Sequence, residues 1–333
     1  MSDYEDFILN NGDGAFTQSE LWANVKRDWI SEQAAVRDTD GKIIAAAQLL
    51  IKKVPFFGSS FMYAPRGFVC AFDNIEVIER LMLEIDRIQR KYNAFMLKID
   101  PMISADDSTA IENLLKCGFK YKVKDDDESV QCRSNYILRI DNRSEEEVFE
   151  SFHKKWRYNI RLAERRGVSC DFYGKDRLDD FYALMVGTAK RDGFNTRSRG
   201  YFERLMDSMG EHCRLYICYC DGEPLSGAIA INYGGRVSYL YGASAQKMRN
   251  VMPCYLMQWS MIKWALETKC SIYDFMGIPH YDDEAHPNYG VYRFKKGFNG
   301  EVVTYAGEFD YIYYPARKAI ISAVVKVVSS TVL

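Results

Sequence analysis

The sequence is poor in histidine, with four among 333 residues, and it carries no large excess of either charge. Lysine and arginine number 44 against 46 aspartates and glutamates, a net charge of −2. That balance excludes a broadly basic nucleic-acid coat and leaves room only for a local basic patch. No run reaches about 18 uninterrupted apolar residues, so no membrane-spanning helix is expected. The opening MSDYEDF is acidic and polar, unlike a secretory signal. Nine cysteines lie scattered without a repeating spacing, which points to free thiols in a reducing cytoplasm rather than a disulfide framework. There is no P-loop, and no G-x-G-x-x-G follows a strand. With so few histidines, no Ser/His/Asp order suggests a nucleophile. What is present is 47% hydrophobic content, enough for ordinary globular cores, and length for about two domains.

The chain contains one pattern twice. From Asp38 it reads DTDGKIIAAAQLLIKK, FMYAPRG, a helical stretch Ile75–Lys91, the apolar strand AFMLKIDP and then LLKCGFKY. From Tyr219 it reads YCDGEPLSGAIAINYGGR, SYLYGAS, a helical stretch Tyr255–Thr268, the strand SIYDFMGI and then RFKKGFNGE. Gly41 matches Gly222, Tyr63 matches Tyr241 and Phe119 matches Phe298, all at a near-constant offset of about 180 residues, the mark of a duplicated unit. Each Asp-Gly reads as a hairpin turn. Each unit is therefore expected as hairpin, strand, helix, strand, helix and closing strands after a Gly-Phe.

That order resembles the GNAT-type acyltransferase fold, so the expected fold class is α/β (α+β) with two tandem, duplicated GNAT-like domains. The expected boundaries are 1–142 with 306–333 for the first domain and 143–305 for the second. In that fold a coenzyme A donor rests on a Gly-rich turn at a helix N-terminus. The equivalent segments, Gln246–Tyr255 and Ala64–Asn74, lack spaced glycines, which disfavours coenzyme A and leaves no expected cofactor.

Between the repeats, Ser144 and Glu147 form a capping box that predicts a helix closed by Gly167. Phe152, Trp156, Ile160 and Ala163 would share one face, and Lys154, Arg157, Arg161 and Arg165 another. Lys154, Lys155, Arg157, Arg161, Arg165 and Arg166 face only Glu164 within residues 154–166. Such a face is either a solvated amphipathic surface or a contact for phosphates.

On these residues the chain resembles the Fem family of peptidoglycan aminoacyltransferases, which build interpeptide bridges from aminoacyl-tRNA. TQSELWANVKRDW matches the family's Trp-x-x-Val-Lys segment, WRYNIRLAERRGV its interdomain helix, and NTRSRGYFERL its R-x-x-x-Y-F segment. YLYGAS, YRFKKGF and AGEFD match toward the C-terminus. No heptad insertion resembling the coiled-coil arm of longer relatives is seen, which implies the simple two-domain form. The resemblance implies an aminoacyl-tRNA-dependent transferase that adds the first bridge residue to a stem-peptide amine. Its partners would be aminoacyl-tRNA and a UDP-muramoyl-peptide or lipid-linked peptidoglycan precursor, with the protein acting as a monomer. Lys154, Lys155, Arg157, Arg161 and Arg165 would contact tRNA. Lys26, Arg197, Tyr201 and Tyr241 fall on precursor-binding positions, where Lys and Arg suit a pyrophosphate and Tyr suits uracil or sugar. Arg197 and Tyr201, four apart, would share a helical face. Phe294 and Lys295 fall where the aminoacyl ester meets the amine, and a fixed cation there can stabilise the oxyanion by about 3 kcal/mol. Lys296 would point elsewhere if the segment is extended. Asp100 and Glu308 match carboxylates that orient or deprotonate the amine.

Two alternatives accompany that reading: a coenzyme A-dependent N-acyltransferase of the same fold, and a non-catalytic module that binds nucleotide-sugar or tRNA. IPHYDDEAHPN, with His280, Asp282, Asp283, Glu284 and His286, reads as a solvated loop rather than a metal site. Cys218 and Cys220 alternate along an apolar strand and read as core. In the C-terminal YYPARKAIISAVVKVVSSTVL, a helix would place Lys318, Ser322, Lys326 and Ser329 in one narrow polar stripe. Docking onto the first domain is the preferred role. Peripheral attachment to the inner membrane leaflet, with Tyr313, Tyr314, Arg317 and Lys318 at the interface, is the other.

Overall fold

A computed structural model describes residues 1–121, 123 and 129–331. The chain divides into two compact units, residues 1–131 with 305–333, and residues 132–304.

In the first unit the elements run α1 (Asp3–Asn11), α2 (Glu20–Val25), β1 (Ile30–Arg37), β2 (Ile43–Val54), β3 (Ser59–Ala64), β4 (Val69–Cys70), α3 (Ile75–Tyr92), β5 (Ala94–Ile99), α4 (Ser108–Lys116) and β6 (Lys120–Tyr121). The second holds β7 (Ser134–Arg139), α5 (Glu145–Ser151), α6 (Lys154–Arg165), β8 (Ser169–Tyr173), α7 (Leu178–Asp192), α8 (Arg199–Met209), β9 (Cys213–Cys220), β10 (Glu223–Tyr233), β11 (Arg236–Ser244), α9 (Pro253–Glu267), β12 (Ile272–Gly277), α10 (Tyr289–Lys296) and β13 (Glu301–Thr304). Then β14 (Phe309–Ile312) and α11 (Pro315–Thr331) return to the first unit.

The first sheet has the order β1-β2-β3-β5-β14-β6, with β4 beside β2, and the second the order β8-β9-β10-β11-β12-β7-β13. The duplication is visible in these orders: β1-β2-β3-β5 corresponds to β9-β10-β11-β12, each with one parallel pair after two antiparallel ones. Gly41 and Gly222 supply the left-handed backbone of the two hairpin turns, at φ +81° and +78°. Tyr63 opposes Leu50 in one unit as Tyr241 opposes Ile229 in the other. The crossover helix α3 starts at Asn74, whose side chain caps two amides, and stops at Asn93 in the left-handed region. Its apolar stripe Val77, Ile78, Leu81, Met82 and Ile85 is buried, each side chain contributing about 1.5–3 kcal/mol.

Residues 132–142, expected in the first domain, lie in the second, because β7 pairs with both β12 and β13. The expected single helix over 144–167 is two. The Ser144–Glu147 capping box opens α5, but Phe152 leaves the helix with ψ +152° and is buried. His153 then caps α6 by accepting from the Lys155 amide at 3.2 Å. The stretch holding Lys295 is helical (α10), not extended. Among the described residues no helix is long and apolar enough to cross a membrane. All nine cysteines are free, and Cys218 and Cys220 are buried in β9.

Candidate functional site

In the second unit, Lys295 sits in the last turn of α10, 5% exposed. Its Nζ donates to the carbonyls of Gly277 (2.7 Å) and Met276 (3.3 Å), where β12 ends in a bulge with Met276 at φ +62°. Burial lowers its pKa from the ordinary 10.5 to about 8, against an opposing pull from Asp274. Two of its three N–H donors are taken by carbonyls. The arrangement is a nearly dry cation that remains mostly protonated at neutral pH and surrenders its proton more readily than an ordinary lysine. Lys296, one residue on, is exposed and lies over the Tyr292 ring. The two lysines do diverge, through the turn of a helix rather than strand alternation.

Phe294 is half-buried against Tyr255 (5.2 Å between ring centroids) and Phe298 (5.6 Å). Trp156 of α6 donates its indole N–H to the Phe294 carbonyl at 2.9 Å and so fixes this turn from outside. Phe294 and Tyr255 line a cavity of about 430 Å³ with Arg249, Asn250 and Pro253. Pro253 opens α9, and no side chain caps that end. The turn before α9 reaches the left-handed backbone at Met248 (φ +52°) and Met252 (φ +58°) without any glycine.

Elsewhere in this unit Arg197 lies over the Tyr201 ring (5.4 Å), and Tyr241 donates to the Tyr201 hydroxyl at 3.2 Å. The three expected residues are thus together, but Arg197 precedes the N-cap Ser198 of α8 and reaches Tyr201 from a loop, not along a helical face. Burial raises the Tyr201 hydroxyl well above its usual range. On α6, Lys154, Lys155, Arg161 and Arg165 are exposed and Arg157 is half-buried. Arg157 and Arg161 both pair with Glu150 of α5, a counter-ion hidden from a reading that stopped at residue 154. Arg165 rests over Tyr158.

In the first unit, Asp100 follows β5 and is 1% exposed. It accepts from the Tyr63 hydroxyl (2.8 Å) and the Arg66 amide (2.6 Å). Burial raises its pKa to about 6, partly countered by Arg66. Glu308 accepts from Lys98 Nζ at 2.5 Å and from the Val130 amide at 2.7 Å. Lys98 also meets Asp310 at 2.9 Å, and Asp310 accepts from Lys318 at 2.9 Å. Antiparallel pairing of Phe309 with Ile99 sets Glu308 beside Asp100, close enough for its charge to favour the protonated form. Lys26, at the end of α2, lies 5.0 Å over the Trp22 ring.

Sequence reasoning missed Lys98, Asp274 and Arg236. Asp274 accepts from Arg236 (3.0 Å), Asn135 (3.1 Å) and the Met276 amide (2.6 Å), which pins the bulge that holds Lys295. The available signal was a charge inside an apolar strand, as in AFMLKI and IYDFMG, since such a charge needs a buried partner. In the 278–289 loop, His280 and His286 stack at 3.8 Å, while Asp283 and Glu284 bond to Ala285 and Tyr289.

A model of the FemAB family matches residues 1–224 and 220–326. The chain belongs to the FemAB family. A relative, the lipid II:glycine glycyltransferase of Staphylococcus haemolyticus (strain JCSC1435), is 28% identical over 93% of this chain and 91% of its own length. That alignment spans 382 positions, more than the 333 residues here, so the relative carries stretches this FemAB chain lacks. The crystal structure of FemX superposes with a TM-score of 0.89 at 27% identity, over 96% of this chain and 98% of that one. A tandem GNAT protein from the clavulanic acid biosynthesis pathway superposes with a TM-score of 0.54 at 12% identity, over 92% and 93% of the two chains, which speaks to fold alone. This FemAB chain accordingly has the tandem GNAT-like fold.

Proposed function

We propose that this protein is an aminoacyltransferase that moves an amino acid from aminoacyl-tRNA to the side-chain amine of a peptidoglycan precursor's stem peptide. The observation that carries the reading is Lys295, a buried lysine with a pKa near 8 that follows the cavity-lining Phe294 in α10, in a FemAB chain whose similar relative is a lipid II:glycine glycyltransferase. Attack of the amine on the aminoacyl ester forms a C–N bond and a tetrahedral oxyanion. Lys295 stabilises that oxyanion, by about 3 kcal/mol for a well-placed donor. Collapse breaks the C–O bond, the ribose oxygen leaves with a proton, and the amine loses one. A lysine-like amine has a pKa near 10.4, so even a carboxylate raised to about 6 is too weak to deprotonate it outright. The roles that the family resemblance gives Asp100 and Glu308 are accordingly to orient the amine and relay its proton, not to act as strong bases. Lys26, Arg197, Tyr201 and Tyr241 bind the precursor, and the exposed cations of α6, Lys154, Lys155 and Arg165, contact tRNA, with Arg157 and Arg161 shared with Glu150.

The test is mass spectrometry of UDP-muramoyl-pentapeptide, and in parallel of the lipid-linked precursor, after incubation with the protein and mixed charged tRNA or acetyl-CoA. A gain of one residue mass with charged tRNA alone is expected and names the amino acid. A gain from acetyl-CoA instead overturns the donor, and no gain on either acceptor overturns the activity.

A further inference from the structure

One face of the first unit is built unlike a solvent-facing surface. The hairpin between β2 and β3 turns through Pro55, Phe56, Phe57 and Gly58; Phe56 is fully exposed (106%) and Phe57 is 37% exposed. Phe56 adopts φ +68°, a backbone region that a bulky residue enters only at a cost and that turns normally give to Gly or Asn. Beside it, α11 buries only part of its apolar surface. Ile321 packs inward with Phe95 and Met96, next to Val54 and Phe61 of the hairpin strands, and Lys318 turns to Asp310. Ala316, Ala319, Ile320, Ala323 and Val324 are left exposed at helical spacing. The side chains of Lys326 and Ser329 lie outside the described residues. Asn93 ties hairpin to helix, donating to the Gly58 carbonyl and accepting from Arg317, both at 2.8 Å. Lys52, Lys53 and Arg317 are exposed along the same surface, with Lys52 over the Trp29 ring at 5.6 Å.

We propose that this face docks the protein on an anionic lipid bilayer, with Phe56 and Phe57 inserted, the exposed stripe of α11 lying in the interface, and Lys52, Lys53 and Arg317 on lipid phosphates. Single exposed apolar residues are ordinary, but a protruding aromatic tip joined to an apolar helix stripe and edged by cations has the composition of an interfacial anchor. A second copy of the chain fits less well. A two-fold pair would set the patch against itself and bring these cations together. The inference deepens the proposed function, on which it rests only for the choice of a lipid-linked acceptor.

The test is co-sedimentation of the full chain with phosphatidylcholine vesicles, with and without phosphatidylglycerol, at low and high salt. The wild type is expected to bind the anionic vesicles and to release as salt rises. Phe56→Ser/Phe57→Ser and Ile320→Ser/Val324→Ser should each weaken partitioning by about tenfold or more. Lys52→Ala/Lys53→Ala should weaken it by about fivefold per cation. Unchanged thermal melts show that the variants fold, and rates on a soluble UDP-linked acceptor should match wild type while rates on vesicle-borne acceptor fall. Wild type that ignores anionic vesicles, variants that partition like wild type, or a wild-type dimer that Phe56→Ser/Phe57→Ser dissolves would each overturn the docking face. Vesicle binding requires no turnover, so binding without transfer counts against the proposed function alone.

Discussion

Two buried lysines, one in each unit, have been driven in opposite directions. Lys98 is 7% exposed and Lys295 is 5% exposed, so burial alone does not separate them. Burial pulls the pKa of Lys98 down, but Asp310 and Glu308 more than offset it and leave the ammonium tighter than usual. Lys295 bonds only to two backbone carbonyls, and the charge of Asp274, itself paired with Arg236, does not offset burial, so its pKa falls to about 8. A lysine matched by carboxylates is a structural tie. One matched by backbone carbonyls holds charge that a passing oxyanion can use.

Removing the two amines breaks the comparison most sharply. Lys98→Met strands Glu308 and Asp310 in a dry site, and loss of one partner from a buried pair typically costs about 3–5 kcal/mol. The lower end is expected, because Lys318 and the Val130 amide remain for the two carboxylates. Urea denaturation at pH 7 should show a lower midpoint at unchanged slope. Lys295→Met deletes a desolvated charge and should leave that midpoint unchanged or higher. Its cost should fall on chemistry instead: about 3 kcal/mol of transition-state stabilisation, or roughly a hundredfold in single-turnover transfer. Lys296→Ala should lose less than about threefold, since an exposed cation adds little. Equal losses at 295 and 296 would remove Lys295 from the chemistry.

The same contrast explains what the sequence revealed. The hairpins, crossover helices and the paired Gly-Phe landmarks were legible, because turn chemistry and apolar periodicity are local signals. Asp100, Glu308, Phe294 and Lys295 were reached through family resemblance, and their environments were not legible. Lys98 meets a carboxylate 210 residues away, and Asp274 meets Asn135 across 139 residues, distances over which no spacing rule speaks. The break between α5 and α6 also escaped prediction. Phe152 sits in phase with the apolar face that suggests a continuous helix, yet it leaves the helix and the His153 amide donates to the Gly297 carbonyl at 2.9 Å.

The landmark glycines sharpen the comparison at smaller magnitude, because the two repeats need them for different reasons. Gly118 stands at φ +94°, where any side chain is strained. Gly297 has an ordinary backbone, but an added Cβ would lie 2.1 Å from the Trp156 ring that holds the Phe294 carbonyl. Gly297→Ala should therefore cost about 1–3 kcal/mol by overpacking and should also slow transfer, because it pushes on the turn carrying Lys295. Gly297→Ala in a Trp156→Ala background should recover stability. Gly118→Ala should destabilise by about 1–2 kcal/mol without a comparable effect on rate.

The gentlest perturbation is pH, and it tests both lysines by sign. For Lys295 the native pKa lies below the unfolded value, so between about pH 8 and 10.5 the unfolded chain binds more protons and this residue's contribution to stability rises with pH. Below pH 8 its penalty is complete and flat. For Lys98 the native pKa is raised, so its contribution is fully present below pH 10.5 and is lost only as pH climbs through the higher native value. Between pH 7 and pH 10 the denaturation midpoint of the wild type should therefore rise relative to that of Lys295→Met, while the gap between wild type and Lys98→Met should hold over that range. A Lys295 gap that does not change with pH would mean that its charge is compensated in the fold, and the two lysines would then be the same kind of residue after all.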